Sequence, residues 1–195
     1  MLNVKEFYKG KTILLTGCTG FLGKVILEKL LRSCPDIKKI YIMSRAKRNM
    51  EPLERLKQQI LASECFNTLV NIHGSQEQFF EFAQKILVPV QGDLIVENLG
   101  LSAEDKEKIT NEVNVIINSA ASVNFDDPLQ DALQINYFGS YRMLELAKQC
   151  TNLNVFTHIS TAYVNCNRKG YLDEIIYNPE QDVENIVKNI MSMSI

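Results

Sequence analysis

What most restricts the fold of this chain lies in its first thirty residues. The apolar run Thr12 to Thr16 (TILLT) passes directly into Thr16-Gly17-Cys18-Thr19-Gly20-Phe21-Leu22-Gly23, and a helix signal follows. A run so short and β-branched, bounded by Gly10 and Gly17, reads as a strand buried on both faces. From Phe21 to Arg32 the apolar positions Leu22, Val25, Ile26 and Leu30 keep helical spacing, Lys24, Glu28, Lys29 and Arg32 form the wet face, and Pro35 and Asp36 end the helix. In such a strand-turn-helix each glycine serves a separate purpose, whether a tight turn, close approach of backbone to a pyrophosphate, or close packing of helix on strand. Gly17, Gly20 and Gly23 can fill these roles. Thr19, Phe21 and Leu22 then line the turn, and the helix start presents free N–H groups and its positive dipole end to phosphate.

The rest of the chain repeats the alternation. Ile40 to Met43 reads as a second strand, Leu87 to Gln91 as a third, Val113 to Asn118 as a fourth and Val155 to Ser160 as a fifth. Helical periodicity surrounds Leu53, Leu56, Ile60 and Leu61. Ser102 caps a helix with acids in its first turn, and a long helix runs from about Pro128 to Gln149 with Leu129, Ala132, Leu133, Asn136, Leu144 and Ala147 inward. Cys65 to Gln78, with Asn67, Asn71, Gly74 and Ser75, reads as a loop. This pattern predicts an α/β fold, a doubly wound parallel sheet of about five strands with right-handed crossovers. With 195 residues the chain suffices for one domain, in which residues 165–195 offer no sixth strand and begin a substrate-side region.

The strand ends predict which dinucleotide binds. An acid at the end of the second strand would hold the 2′-hydroxyl of NAD; this sequence has Ser44 and Arg45 there, with Lys47 and Arg48 behind, and a guanidinium suits the 2′-phosphate of NADP(H). At the end of the third strand Gly92-Asp93-Leu94 places a carboxylate within reach of an adenine amino group. Asn118-Ser119-Ala120-Ala121 at the end of the fourth has small residues that admit a flat ribose-nicotinamide half. Asn136, on an otherwise apolar helix face, needs hydrogen-bond partners.

Composition removes other classes. A net charge of −2 argues against a nucleic-acid partner. The five cysteines are scattered without a CxxC pattern and the two histidines, His73 and His158, lack ligand spacing, so free thiols and no metal are expected. No secretory signal and no apolar stretch near ~20 residues is present, which points to an intracellular chain.

The phrase FYKGKTILLTGCTGFLGKVILEKLLRSCP resembles the start of the alcohol-forming fatty acyl-CoA reductases, extended members of the short-chain dehydrogenase/reductase superfamily. Residues 118–125 (NSAASVNF), 158–163 (HISTAY) and 166–169 (CNRK) resemble them equally, and the likeness is weakest from Arg48 to Lys85. The resemblance implies NADPH-dependent reduction of long-chain fatty acyl-CoA to fatty alcohol in two hydride steps, and association of full-length members with peroxisomes or endoplasmic reticulum. It implies a Ser/Thr-Tyr-Lys set in which Thr161, beside Ser160, is the hydroxyl that orients the carbonyl, and it gives Asn136 a site-supporting role. The tyrosine and lysine of that set form a YxxxK helix motif, and none of the seven tyrosines here has lysine four residues on. Tyr163, two residues from Thr161, reads as an inward-packed aromatic. Two alternatives stay open: an NADP-binding paralogue without reductase activity, and a neighbouring class such as a carboxylate reductase domain or a nucleotide-sugar epimerase.

Overall fold

The computed structural model describes residues 3–46, 50–179 and 181–193. Its centre is a parallel sheet in the order β3-β2-β1-β4-β5, built from β1 (Thr12–Thr16), β2 (Lys39–Ser44), β3 (Leu87–Gln91), β4 (Val115–Asn118) and β5 (Val155–His158). β1 is central and wholly buried, pairing with β2 from Thr12 opposite Lys39 to Thr16 opposite Met43, and with β4 from Ile13 opposite Val115 to Leu15 opposite Ile117. Chain direction of travel across the sheet reverses between β1 and β4, which opens a crevice at the carboxyl ends of the strands. Pro89 is tolerated in β3 because that strand is an edge.

Two apolar cores cover the faces. On one, Ile13, Leu15, Ile40 and Ile42 meet Leu27, Leu30 and Leu31 of α2 (Phe21–Ser33), together with Phe66 and Phe79. On the other, Leu14, Tyr41 and Ile116 meet Ile109 of α6 (Ala103–Glu112) and Met143 and Leu146 of α8 (Gly139–Gln149). A short α1 (Val4–Tyr8), capped by Asn3, precedes β1. As the sequence predicts, Ser102 caps α6, its Oγ accepting from the Asp105 N–H at 3.0 Å.

Several sequence expectations are corrected. Cys65 to Gln78 is not a loop: a 3₁₀ turn (Glu64–Phe66), α4 (Asn67–His73) and the start of α5 (Gln76–Ile86) occupy it. Polar residues there are wet faces and caps, with Ser75 Oγ accepting from Gln78 N–H and Gly74 ending α4 at φ +93°, while Phe66, Leu69, Phe79 and Ala83 are buried. On α2 the buried side is Gly23, Leu27, Glu28, Leu30 and Leu31; Leu22 and Val25 are exposed, and Glu28 is held by Arg32 through bonds of 2.6 and 3.3 Å. α3 (Pro52–Arg55) runs into a π-helical segment (Leu56–Leu61) that buries Leu56, Ile60 and Leu61, leaving Leu53 outside.

The long helix is likewise interrupted. α7 (Leu129–Ala132) passes through a π-helical segment (Leu133–Phe138) before α8, and the extra residue per turn rotates the later face by one position. In α8 Ala147 is buried as expected, but Met143 and Leu146 are buried instead of Leu144, and before it Leu129 and Asn136 are exposed. β4 begins at Val115 and β5 ends at His158, each two residues inside the expected limits. β5 is an edge strand largely open to solvent, and the described part of residues 165–193 holds only a helix, α9 (Val183–Ser192), and turns.

Candidate functional site

The glycine turn is built by exclusion of side chains. Gly17 has φ +80°, and a Cβ there would lie 2.7 Å from Ser119 Oγ. A Cβ on Gly23 would come within 2.2 Å of the Gly17 carbonyl oxygen, so this glycine lets α2 press against the turn. Gly20 differs: a Cβ there would meet only the Gly17 oxygen, at 3.3 Å, and nothing else within 4 Å. As N-cap of α2 it offers no side-chain acceptor, and the first bond of the helix runs from Lys24 N–H to Gly20 C=O at 3.3 Å. The N–H groups of Phe21, Leu22 and Gly23 therefore have no intrahelical partner and no side-chain cap. That cradle fits a phosphate. Thr19, Gly20, Phe21 and Leu22 are exposed at the crevice, whereas Cys18 is buried beneath the turn and burial pushes its thiol pKa up, which makes it an inert packing residue.

The opposite wall begins at β4, and Thr16 ties the two together. Its hydroxyl donates to Asn118 Oδ1 at 2.8 Å and accepts from the Ser119 and Ala120 N–H groups at 3.1 Å each, while Ser119 Oγ donates to the Thr16 carbonyl at 3.0 Å. Asn118 is fully buried, with Nδ2 3.2 Å from His158 Nδ1 on β5. Its side chain and that of Ser119 are thus committed to the protein, and these residues face a ligand with backbone only. Ala120 is half-buried and Ala121 exposed. Beyond them Asn136 Oδ1 accepts from Ser122 N–H at 2.9 Å and Nδ2 donates to the Ser122 carbonyl at 3.1 Å, a two-point clamp made from an exposed position of the π segment. Neither Thr16 nor His158 stands out as a site residue in the sequence, because a hydroxyl within an apolar strand and a lone imidazole carry no spacing signal.

At the ends of β2 and β3 lie two adjoining cavities of about 470 and 650 Å³. Ser44, Arg45, Arg55 and Gln91 line the first with Glu51 and Glu54; Arg45, Arg55, Gly92 and Asp93 line the second. Arg55 donates to the Arg45 carbonyl through Nη1 and to Gln59 Oε1 through Nε at 3.1 Å. Burial, and then the charge of Arg45, hold the Arg55 guanidinium below its usual pKa. Arg55 lines both cavities and sequence reading misses it, since nothing in the spacing shows which side chain of the following helix folds back to the strand end. Lys47 and Arg48 lie outside the described residues. Asp93 Oδ1 accepts from Ile95 N–H at 3.2 Å, and Leu94 is a packing residue, buried against Gly139, whose Cβ would meet it at 2.8 Å.

Ser160 and Thr161 follow the end of β5 and are exposed; Thr161 Oγ1 accepts from Tyr163 N–H at 3.2 Å. Tyr163 is not packed inward. It is two-thirds exposed and stands edge-on to Phe125, itself 90% exposed, with ring centroids 6.3 Å apart. Among the described residues no group of three or more side chains could hold a metal ion, and no helix is long and apolar enough to cross a membrane.

Residues 15–194 match the NAD-binding domain described as male sterility protein. The chain is 43% identical over 97% of its length to fatty acyl-CoA reductase 1 of Rattus norvegicus, and 44% identical over 89% to the chloroplastic fatty acyl-CoA reductase 2 of Arabidopsis thaliana. It spans about a third of the length of these curated relatives, 35% and 28% respectively. Among solved structures, the terminal R domain from the myxalamid PKS-NRPS biosynthetic pathway superposes with a TM-score of 0.63 at 31% identity, covering 80% of this chain and 36% of that one.

Proposed function

Since the chain belongs to the male sterility protein family, we propose that it is the NADP(H)-holding part of a reductase that converts long-chain fatty acyl-CoA to fatty alcohol. The observation that carries the choice of dinucleotide is the pair Arg45 and Arg55 at the end of β2, with no acid at the position where NAD enzymes place one. Both guanidiniums suit the 2′-phosphate, and a dianion there relieves the mutual repulsion that burial makes costly for Arg55. The uncapped start of α2 and open Gly20 suit the pyrophosphate, the backbone of Ser119 to Ala121 the nicotinamide half, and Asp93 the adenine. Support for the acyl-CoA substrate comes from the names of the relatives.

When bound, the dinucleotide would supply hydride to the acyl carbon. The chain's own residues then position: Thr161 keeps its hydroxyl proton available because its oxygen only accepts from Tyr163 N–H, so it can donate to the substrate oxygen. No YxxxK tyrosine is among the 195 residues to restore the proton. The chain should accordingly bind NADPH and show no palmitoyl-CoA-dependent NADPH oxidation. A fluorescence titration should give NADPH binding at least about tenfold tighter than NADH, with Arg45→Ala and Arg55→Ala each erasing most of the difference. Equal affinity for the two dinucleotides in the unaltered chain defeats the NADP assignment. A second reading, reduction of a carrier-bound thioester, draws on the likeness to the R domain, and its lower identity and coverage make it the weaker one.

A further inference from the structure

The hydrogen bonds around Asn118 leave only one direction for each proton. Thr16 has one hydroxyl proton, and its oxygen already accepts from two donors, the N–H groups of Ser119 and Ala120. The proton therefore goes to Asn118, and the atom that receives it is Oδ1. The amide orientation follows, so the group facing His158 is Nδ2, which can only donate, and Nδ1 of His158 must accept. An imidazole that accepts at Nδ1 is neutral and carries its proton on Nε2. A protonated His158 would set N–H against N–H at 3.2 Å across a fully buried amide. Among the described residues the imidazole, whose other edge is open to solvent, has no other partner: opposite it on β4 is Asn118 itself, and on α8, the helix packed against β5, Arg142 is bonded to the Leu94 carbonyl and Gln134 while Glu145 pairs with Lys148.

We propose that His158, in its neutral form, is a positioning residue for the dinucleotide: through Asn118 and Thr16 it fixes the backbone of Ser119 and Ala120, the wall that faces Gly17 across the crevice. Imidazole protonation breaks the series at its outer end, frees the Asn118 amide to turn, and takes from Thr16 the acceptor that orients its hydroxyl. The wall then loses the arrangement in which Gly17 and Ser119 meet, and the dinucleotide binds less tightly. This inference rests on the reading of the crevice as the dinucleotide site.

Calorimetric titration of the chain with NADP⁺ between about pH 8 and about pH 5 tests it, the range in which histidines gain a proton. The 2′-phosphate also titrates there, so the quantity that decides is the difference between unaltered chain and His158→Asn, whose side-chain oxygen can accept from Asn118 but cannot be protonated. The unaltered chain should lose affinity more steeply on acidification, the excess approaching about tenfold per pH unit at the acid end, while His158→Asn binds as the unaltered chain does at about pH 8. His158→Leu, which leaves the buried amide unpaired, should bind about tenfold more weakly at every pH. Coincident pH profiles for the unaltered and Asn proteins, or unweakened binding by a folded Leu variant, overturn the proposal; if the Leu variant does not fold, the pH comparison still decides. An unaltered chain that fails to bind NADP⁺ at about pH 8 overturns the dinucleotide reading and this one together, whereas binding insensitive to His158 overturns this one alone.

Discussion

Three glycines six residues apart from first to last do three different jobs, and substitution separates them. Gly23→Ala forces a methyl into the Gly17 carbonyl and should lower stability by about 3 kcal/mol, read as a drop in melting temperature. Gly20→Ala meets a milder obstacle, since Gly20 has φ −86° and its Cβ would stand 3.3 Å from the Gly17 oxygen. It should cost about 1 kcal/mol as an N-cap change, far less than Gly23→Ala, yet weaken NADPH binding severalfold, because the methyl occupies the approach of the pyrophosphate. Unweakened binding by that variant would remove Gly20 from the phosphate site. The turn is legible in the sequence because glycine at a tight turn has no substitute. Arg55 and Thr16 are not, since their roles depend on folded proximity, and Asn118 is legible in position only: it sits at the strand end as expected but spends its amide inside the protein.

Helix faces show where periodicity ceases to guide. Each π segment breaks the 3.6 repeat, so a face read on from Leu129, which is itself exposed, does not carry through to α8, where Met143 is buried and Leu144 is not. Cys65 to Gln78 misleads for another reason: its buried anchors are few and its caps are turn residues, so propensity reads loop while Phe66 stacked on Phe79 at 5.8 Å holds helices to the sheet. Phe79→Ala should cost about 3–5 kcal/mol in denaturant unfolding, where a surface loop would lose almost nothing. On the opposite face α6 is tied to β2 by Glu112, which accepts from Lys39 Nζ at 2.6 Å and Tyr41 Oη at 2.9 Å. The bond from Lys39, then that from Tyr41, hold the Glu112 carboxyl below the usual range against the opposing effect of burial. A depressed carboxyl contributes stability above its ordinary value of about 4.5 that disappears as pH falls through its folded value. Glu112→Gln should therefore destabilise by about 0.5–1 kcal/mol at neutral pH, the pair being partly exposed, and the deficit should shrink below about pH 4. A deficit independent of pH would assign the effect to packing.

Taken whole, the molecule follows the alternation of its sequence closely: five runs become five parallel strands in the order a dinucleotide fold requires, with β1 in the middle. What the alternation leaves undetermined is the surface beyond the carboxyl ends, where Val123, Phe125, Tyr163 and Ile176 stand exposed. Periodicity assigns apolar residues inward by default, which is why Tyr163 reads as buried. Phe125→Ser should leave the melting temperature unchanged and reduce binding of a hydrophobic dye; a clear loss of stability would mean that the Phe125–Tyr163 contact is structural.

The central strand and the partner that completes the crevice are a hundred residues apart in the chain, for Thr16 reaches Asn118 across a separation of 102 positions. β2 and β3 can pair beside β1 from residues 12–91 alone, but both walls of the dinucleotide crevice exist only after β4 has docked on the far side of β1. Ligand capture therefore requires β4 to be in place. Added NADPH should leave the refolding rate of the chain unaltered and slow its unfolding, so that the nucleotide acts as a latch on a finished sheet and never as a template for making one.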